Sequence, residues 1–113
     1  MREIVELSQE PNQKYTLITD EGEEVQIVLR YSDSQIGWFI DITVGDLIIN
    51  GIRLCVSPNI LRNYKNLINF GLGCTSTDGA EPYFLNDFSE KRIRVFLLNE
   101  SDVQEIEETF YNG

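Results

Sequence analysis

The sequence contains no histidine, and this absence excludes several kinds of chemistry. Histidine is the commonest general base in enzymes and a common zinc ligand, so nucleophile arrangements that pair Ser or Cys with His cannot form. Only two cysteines are present, Cys55 and Cys74, and they do not form a CxxC pair. We expect two buried, reduced thiols, with a disulfide or a shared metal as the alternative. The sequence predicts no catalytic, cofactor-binding or metal-binding residue and no enzyme.

Basic residues and long apolar runs are also scarce. The 113 residues include 9 Lys and Arg against 19 Asp and Glu, a net charge of −10. Proteins that bind nucleic acids or anionic membranes need positive charge, so neither kind of partner is predicted. No apolar run reaches the roughly 18 residues that a membrane-spanning helix requires. Glu3 and Glu6 interrupt the position where a secretion signal would be apolar, so we expect synthesis and use without secretion.

The chain does contain a strong alternation of apolar residues over residues 25–44. The alternating positions are Val25, Ile27, Leu29, Tyr31 and then Trp38, Ile40, Ile42, Val44. A period of two places each set on one face of an extended strand. The turn-forming residues between the two sets indicate an antiparallel hairpin. Tyr31 and Trp38 would flank its turn and cap one end of the core.

Shorter patterns extend this interpretation along the chain. They predict strands over residues 4–7, 15–19, 48–56, 70–75 and 93–97, a turn at residues 20–22 and a short helix after Asn59. Gly51 within its strand indicates a bulge or a sharp bend. We expect an apolar loop to plug the core with Tyr83, Phe84, Leu85 and Phe88.

The predicted fold is therefore an all-β domain over residues 1–98. It would be a small antiparallel β-sandwich or partly open barrel of about seven or eight strands, with one short helical turn and a possible short C-terminal helix. The candidate core residues are Tyr31, Trp38, Ile40, Leu54 and Tyr64.

Residues 99–113 form an acidic C-terminal extension with five acids and no base. Ser101 and Gln104 have the spacing of a capping box, which predicts the start of a helix. Val103, Ile106 and Phe110 would form a narrow apolar stripe on it, and they are the candidate interface residues. A helix this short needs a partner surface, so docking on the body or on a neighbouring subunit would order it.

The acidic residues allow two interpretations. Asp41 is expected to be solvated or paired with a cross-strand Arg such as Arg30, although a carboxylate pair with Asp87 would suit glycoside hydrolysis. The acids of residues 20–24 are expected to form a solvated turn rather than a cation site. A small ligand- or carbohydrate-binding β-sandwich is the alternative function, with Trp38 and Tyr31 as an exposed aromatic platform.

Five collinear segments resemble the baseplate plug proteins of contractile-tailed bacteriophages, as typified by the cyanophage plug. The segments are residues 4–13 (IVELSQEPNQ), 29–42 (LRY…GWFIDI), 51–54 (GIRL), 59–64 (NILRNY) and 87–97 (DF…RIRVFL). The resemblance implies an all-β structural protein without catalysis or cofactor. It also implies a location in the virion tail, at the central hub or tube tip, after synthesis in the host cytoplasm. The acidic extension departs from this family.

The implied partners are other phage tail proteins of the hub, spike or tube. Exposed sheet edges favour symmetric assembly, so we expect a homo-oligomer of three- or six-fold symmetry. The acidic surface would suit a position beside the DNA conduit, where negative walls repel phosphates.

Overall fold

The computed structural model describes residues 1–111 and confirms the all-β fold, with seven strands in two antiparallel sheets. The strands are β1 (Arg2–Glu3), β2 (Asn12–Ile18), β3 (Glu24–Ser32), β4 (Gly37–Val44), β5 (Leu47–Arg53), β6 (Gly71–Ser76) and β7 (Ile93–Leu98). One sheet has the order β2-β3-β4-β5 and the other has the order β1-β7-β6. A helix α1 (Glu100–Ile106) follows β7 and continues as a π-helical turn, Glu107–Tyr111. Neither helix in the described part of the chain is long and apolar enough to cross a membrane.

The β3–β4 hairpin is the centre of the four-stranded sheet, as its alternation predicts. Tyr31 pairs with Trp38 next to the turn, and Val25 pairs with Val44 at the other end. The alternate positions of both strands are buried against the three-stranded sheet, while the positions between them face outward. Two long strands with one apolar face each therefore supply most of the core.

Strand β5 contains the bulge that Gly51 predicts. Ile52 pairs with Ile40 and Ile49 pairs with Ile42, so two residues of β5 lie opposite Asp41 alone. Gly51 has φ +73°, a conformation that strongly favours glycine. The extra residue changes which positions point inward, so Ile49 is buried while Ile48 is exposed.

The chain crosses between the sheets directly after β5. Ser57 forms an isolated antiparallel bridge with Cys74 of β6, and Ile60 N donates to Leu72 O. Cys74 is buried, but Cys55 is exposed, so the expectation of two buried thiols is wrong for Cys55; both are free. Burial raises the pKa of the Cys74 thiol to about 12, which keeps it protonated near neutral pH.

The helix predicted after Asn59 is only a 3-10 turn, Arg62–Tyr64. The Asn59 side chain is buried, and its Oδ1 accepts from Leu61 N at 3.0 Å and from Leu72 N at 3.2 Å. It thus fastens this turn to β6 instead of starting a longer helix. A Cβ on residue 71 would lie 2.6 Å from Asn59 Oδ1, so this contact requires Gly71.

At the N-terminus, the predicted strand over residues 4–7 is wrong. Only Arg2–Glu3 pairs with β7, and the chain turns away after Ile4. The following segment lies along β2, where the buried Gln13 side chain bonds both Ser8 N and Ser8 O. Polar side-chain contacts therefore fasten the segment between β1 and β2 to β2.

The C-terminal extension lies against the body in the described residues; residues 112 and 113 fall outside them. Its capping box uses Asn99 and Asp102, so the prediction of Ser101 and Gln104 is wrong. Glu107 forms ion pairs with Arg62 and Lys65, and the Arg62 guanidinium lies 3.8 Å from the Tyr111 ring centre. The apolar stripe of this helix is narrow, and ionic and cation–π contacts also attach the helix to the body.

Replacing Glu107 with Gln is expected to loosen this helix. Lys65 and then Arg62 lower the pKa of Glu107, so its contribution to stability is full above the ordinary Glu pKa and is lost as the pH falls. Hydrogen exchange of amides 100–107 should rise in the variant, and in the wild type on acidification below the ordinary Glu range. Glu108→Gln is the matched control, because Glu108 is exposed and has no ion pair in residues 1–111. Equal exchange in both variants would contradict the prediction.

Candidate functional site

The candidate core residues lie inside the sandwich or against it. Trp38, Ile40 and Leu54 are buried, and Tyr31 and Tyr64 are partly buried and pack on the core. Trp38 has no exposed surface, so it cannot present an aromatic platform to a sugar. Its ring instead contacts Tyr31 at 5.3 Å and Phe88 at 4.8 Å between ring centres.

The two carboxylates considered for catalysis have different arginine partners. Asp41 accepts two hydrogen bonds from Arg30, at 2.9 and 3.0 Å, which confirms the predicted pair. Arg30 lowers the pKa of Asp41, with a further contribution from Gly51 N–H. Asp87 is buried and bonds Arg92 instead. Each carboxylate is thus neutralised where it stands, as expected for structural ion pairs.

Arg92 organises the loop of residues 77–92, a role that no pattern in the sequence predicts. Its guanidinium donates to both carboxylate oxygens of Asp87 at 2.8 Å. It also donates to Asp78 at 2.9 Å and to the carbonyl oxygens of Ala80 and Glu81 at 3.0 and 2.7 Å. Hydrogen bonds from Ala80 N, Ser76 and Arg92 lower the pKa of Asp78 to about 2. One planar donor group therefore ties this long loop into a single shape.

The loop is also fastened to the β3–β4 hairpin. Tyr31 donates its hydroxyl to Tyr83 O at 2.5 Å, and Trp38 Nε1 donates to Phe84 O at 3.2 Å. Phe88 inserts beside Trp38 and is buried. The backbone at Tyr83 and Phe84 is consequently held from the hairpin side as well as from the Arg92 side.

This fixed backbone turns three consecutive apolar side chains toward solvent. Tyr83, Phe84 and Leu85 are 40%, 58% and 39% exposed, so the prediction that they plug the core is wrong; only Phe88 does so. Trp38 and Phe88 already fill the core at this end. Ile36, on the β3–β4 turn at the same end, is 56% exposed. We call Ile36, Tyr83, Phe84 and Leu85 the tip surface.

Ile36 is held in a strained backbone conformation. Its φ is +51°, which is a rare value for a β-branched residue. Arg53 Nη2 holds the turn by donating to Gln35 O at 3.1 Å and Ile36 O at 2.8 Å. A Cβ on residue 37 would lie 2.7 Å from the same nitrogen, so Gly37 leaves room for it. The Ile36 side chain is exposed, so burial does not offset this strain.

Replacing Ile36 with Gly is expected to stabilise the isolated protein. Relief of left-handed strain gains about 1–2 kcal/mol, and the greater flexibility of unfolded glycine costs about 0.5–1 kcal/mol. The net gain of about 0.5–1 kcal/mol is measurable by urea unfolding. Ile36→Val keeps the branched side chain and should change stability little. A loss of stability in Ile36→Gly would show that the conformation is unstrained.

The opposite end of the four-stranded sheet is acidic. The β2–β3 and β4–β5 turns meet there, because Val25 pairs with Val44. We call five exposed acids in and beside these turns the acidic end: Asp20, Glu21, Glu23, Glu24 and Asp46. None has an ion pair within residues 1–111, as expected of a solvated turn. In the same residues, no three His, Cys, Asp or Glu side chains are grouped to hold a metal ion.

The candidate interface residues of the extension have different exposures. Val103 and Ile106 are partly buried, while Phe110 is exposed beyond them. Their role in contacts between subunits remains a prediction.

A comparison with family models gives one match, to the family described as "Cyanophage baseplate Pam3 plug gp18", over residues 1–100. A comparison with curated proteins gives no match. The matched region includes both sheets, the loop that Arg92 organises and the tip surface, while most of the C-terminal extension lies outside it. The chain belongs to the cyanophage baseplate plug family, a family of structural baseplate proteins.

Proposed function

We propose that this protein is the plug at the central hub or tube tip of a contractile phage tail, where it acts by protein–protein assembly and catalyses no reaction. It is made in the host cytoplasm and becomes part of the virion. Its partners are hub, spike or tube proteins. Family membership supports this proposal at the level of a baseplate component.

The tip surface is the observation that carries the docking role. Apolar residues that could have been buried are instead presented to solvent by a loop with two sets of anchors, Arg92 and the Tyr31–Trp38 pair. A fixed loop loses little conformational entropy on binding, so less of the free energy gained by burying its apolar area is offset. Aromatic residues such as Tyr83 and Phe84 are also enriched at interfaces.

The acidic end and the tip surface lie at opposite ends of the four-stranded sheet. A protomer that docks by its tip surface therefore turns the carboxylates of the acidic end away from the docking partner. The net charge of −10 would also make the surfaces beside the DNA conduit repel phosphates and prevent adhesion. Assembly as a homo-oligomer of three- or six-fold symmetry matches the rotational symmetry expected of a tail axis.

The test uses a phage that encodes this protein, with the gene deleted and variants supplied in trans. Mass spectrometry of purified virions should detect the wild type. It should not detect the triple variant Tyr83→Ser, Phe84→Glu, Leu85→Ser, whose folding is checked separately by circular dichroism. Leu67→Glu is the control, because Leu67 is an exposed apolar residue outside the tip surface.

The possible results separate the two parts of the proposal. Absence of the wild type from virions would overturn the plug assignment itself. Incorporation of the folded triple variant at the wild-type level would overturn the docking role of the tip surface. Electron microscopy of tails that lack the protein should show the defect at the tube tip.

A further inference from the structure

The outer face of the four-stranded sheet differs in charge from the rest of the molecule. Its charged side chains are Lys14, Arg30, Arg53, Glu24 and Asp41. Three bases against two acids give this face a charge of +1, whereas the whole chain carries −10. The rest of the chain is therefore the source of the negative charge, and this face is the exception.

The positive charge is concentrated beside the β3–β4 turn. The strand register places Arg30 and Arg53 on opposite sides of Phe39, and the Arg53 guanidinium lies 5.5 Å from the Phe39 ring centre. In the next row, Lys14 lies beside Val28. We call Lys14, Val28, Arg30, Phe39 and Arg53 the basic patch. Asp41 pairs with Arg30, so Lys14 and Arg53 are the members with no ion pair in the described residues.

No element of the described chain covers the basic patch. Val28 and Phe39 are apolar and remain partly exposed on the solvent-facing side of the sheet. Arginine beside an aromatic ring is a composition enriched at protein interfaces. A complementary surface should combine carboxylates with enough exposed backbone and apolar atoms to cover Phe39.

The acidic end of the same chain supplies such carboxylates. It presents five exposed carboxylates on two adjoining turns, and it lies at the far end of the sheet from the basic patch. We infer that the basic patch of one protomer binds the acidic end of a second copy, head to tail. Contact between two basic patches, or between two acidic ends, would instead place like charges together.

A head-to-tail contact uses two different surfaces and can propagate around a closed ring. The inference thus deepens the proposed homo-oligomer by naming both sides of its interface, and it depends on that part of the proposed function. Long-range repulsion between two copies of charge −10 is screened beyond about 8 Å at physiological salt, while charges in direct contact are screened much less.

The test is the oligomeric state of the full chain, measured by sedimentation velocity over a range of concentrations. Lys14→Glu with Arg53→Glu should raise the dissociation constant about 10- to 100-fold, and so should Glu21→Lys with Glu23→Lys. A chain that carries all four substitutions should associate more tightly than the Lys14→Glu, Arg53→Glu variant, because two pairs of opposite charges are restored across the contact. Lys91→Glu with Arg94→Glu is the matched control; it makes the same change in net charge away from both surfaces and should still associate.

Arg53 also supports the turn at Ile36, so Lys14→Glu alone serves as a second patch variant that leaves this turn intact. A wild type that is monomeric at every concentration overturns the inference. So does an oligomer that persists in both two-residue reversals, or a folded four-substitution chain that associates no more tightly than the Lys14→Glu, Arg53→Glu variant. Wild-type incorporation into virions is read independently, so failure here is distinguishable from failure of the plug assignment.

Discussion

Replacing Arg92 with Ala is expected to destabilise the protein by about 3–5 kcal/mol. Asp87 is only 2% exposed, so the variant would leave a buried carboxylate without its counter-ion. The carbonyl oxygens of Ala80 and Glu81 would lose their donor at the same time. Because Arg92 is partly accessible to solvent, water can replace some of these bonds, and the lower half of the range is the better estimate. Urea unfolding followed by circular dichroism measures the change.

Three further variants separate charge from geometry. Arg92→Lys keeps the charge but cannot bond both Asp87 oxygens and the two carbonyls in one plane, so an intermediate loss is expected. Arg94→Ala, two residues further on in β7, is the matched control; Arg94 is exposed and unpaired in the described residues, so a change within about 0.5 kcal/mol is expected. Adding Asp87→Asn to Arg92→Ala should recover part of the stability. A loss below about 1 kcal/mol in Arg92→Ala would contradict this account.

The long hairpin was predictable because each of its strands carries a complete two-residue alternation. The predicted sets at Val25 and Trp38 match β3 and β4, including the Tyr31–Trp38 pair. The first strand was not predictable in the same way. Its partner β7 is distant in sequence, and a short apolar run does not show where pairing stops. A local pattern of apolar residues therefore predicts a long strand better than a strand of two residues.

The tip surface could not be predicted, because its exposure depends on contacts that are remote in sequence. A run of three apolar residues gives no sign of whether it points inward or outward. Here the direction is decided by Phe88, which takes the space beside Trp38, and by Arg92, which holds the preceding carbonyls. The sequence does place Arg92 after Asp78 and Asp87 in a long loop. That the arginine bonds both aspartates is seen only in the folded structure.

The start of the C-terminal helix shows the same limit at a single residue. Ser101 and Gln104 match the capping-box spacing, but β7 continues to Leu98 and the helix begins immediately after Asn99. Asn99 is therefore the first position at which a cap can act. By contrast, the bulge at Gly51 and the Arg30–Asp41 pair depend on one strand and its neighbour, and both were predicted correctly.

Trp38 connects the core to the tip surface, so Trp38→Ala is expected to affect both. The side chain is fully buried against Tyr31 and Phe88, and its removal should destabilise the protein by about 3–5 kcal/mol. It would also remove the hydrogen bond to Phe84 O. Since Trp38 is the only tryptophan, unfolding of the variant is followed by circular dichroism.

Trp38→Phe distinguishes the core role from the positioning of the loop. Phenylalanine fills most of the same space but has no N–H, so stability should fall by only about 1–2 kcal/mol. Phe84 O then loses the donor that holds it to the hairpin. Chymotrypsin cleaves after large apolar residues, so cleavage at Tyr83, Phe84 and Leu85 should accelerate more than the loss in global stability explains. Cleavage that follows global stability alone would show that Arg92 and Tyr31, without the Trp38 N–H, are sufficient to hold the tip surface in place.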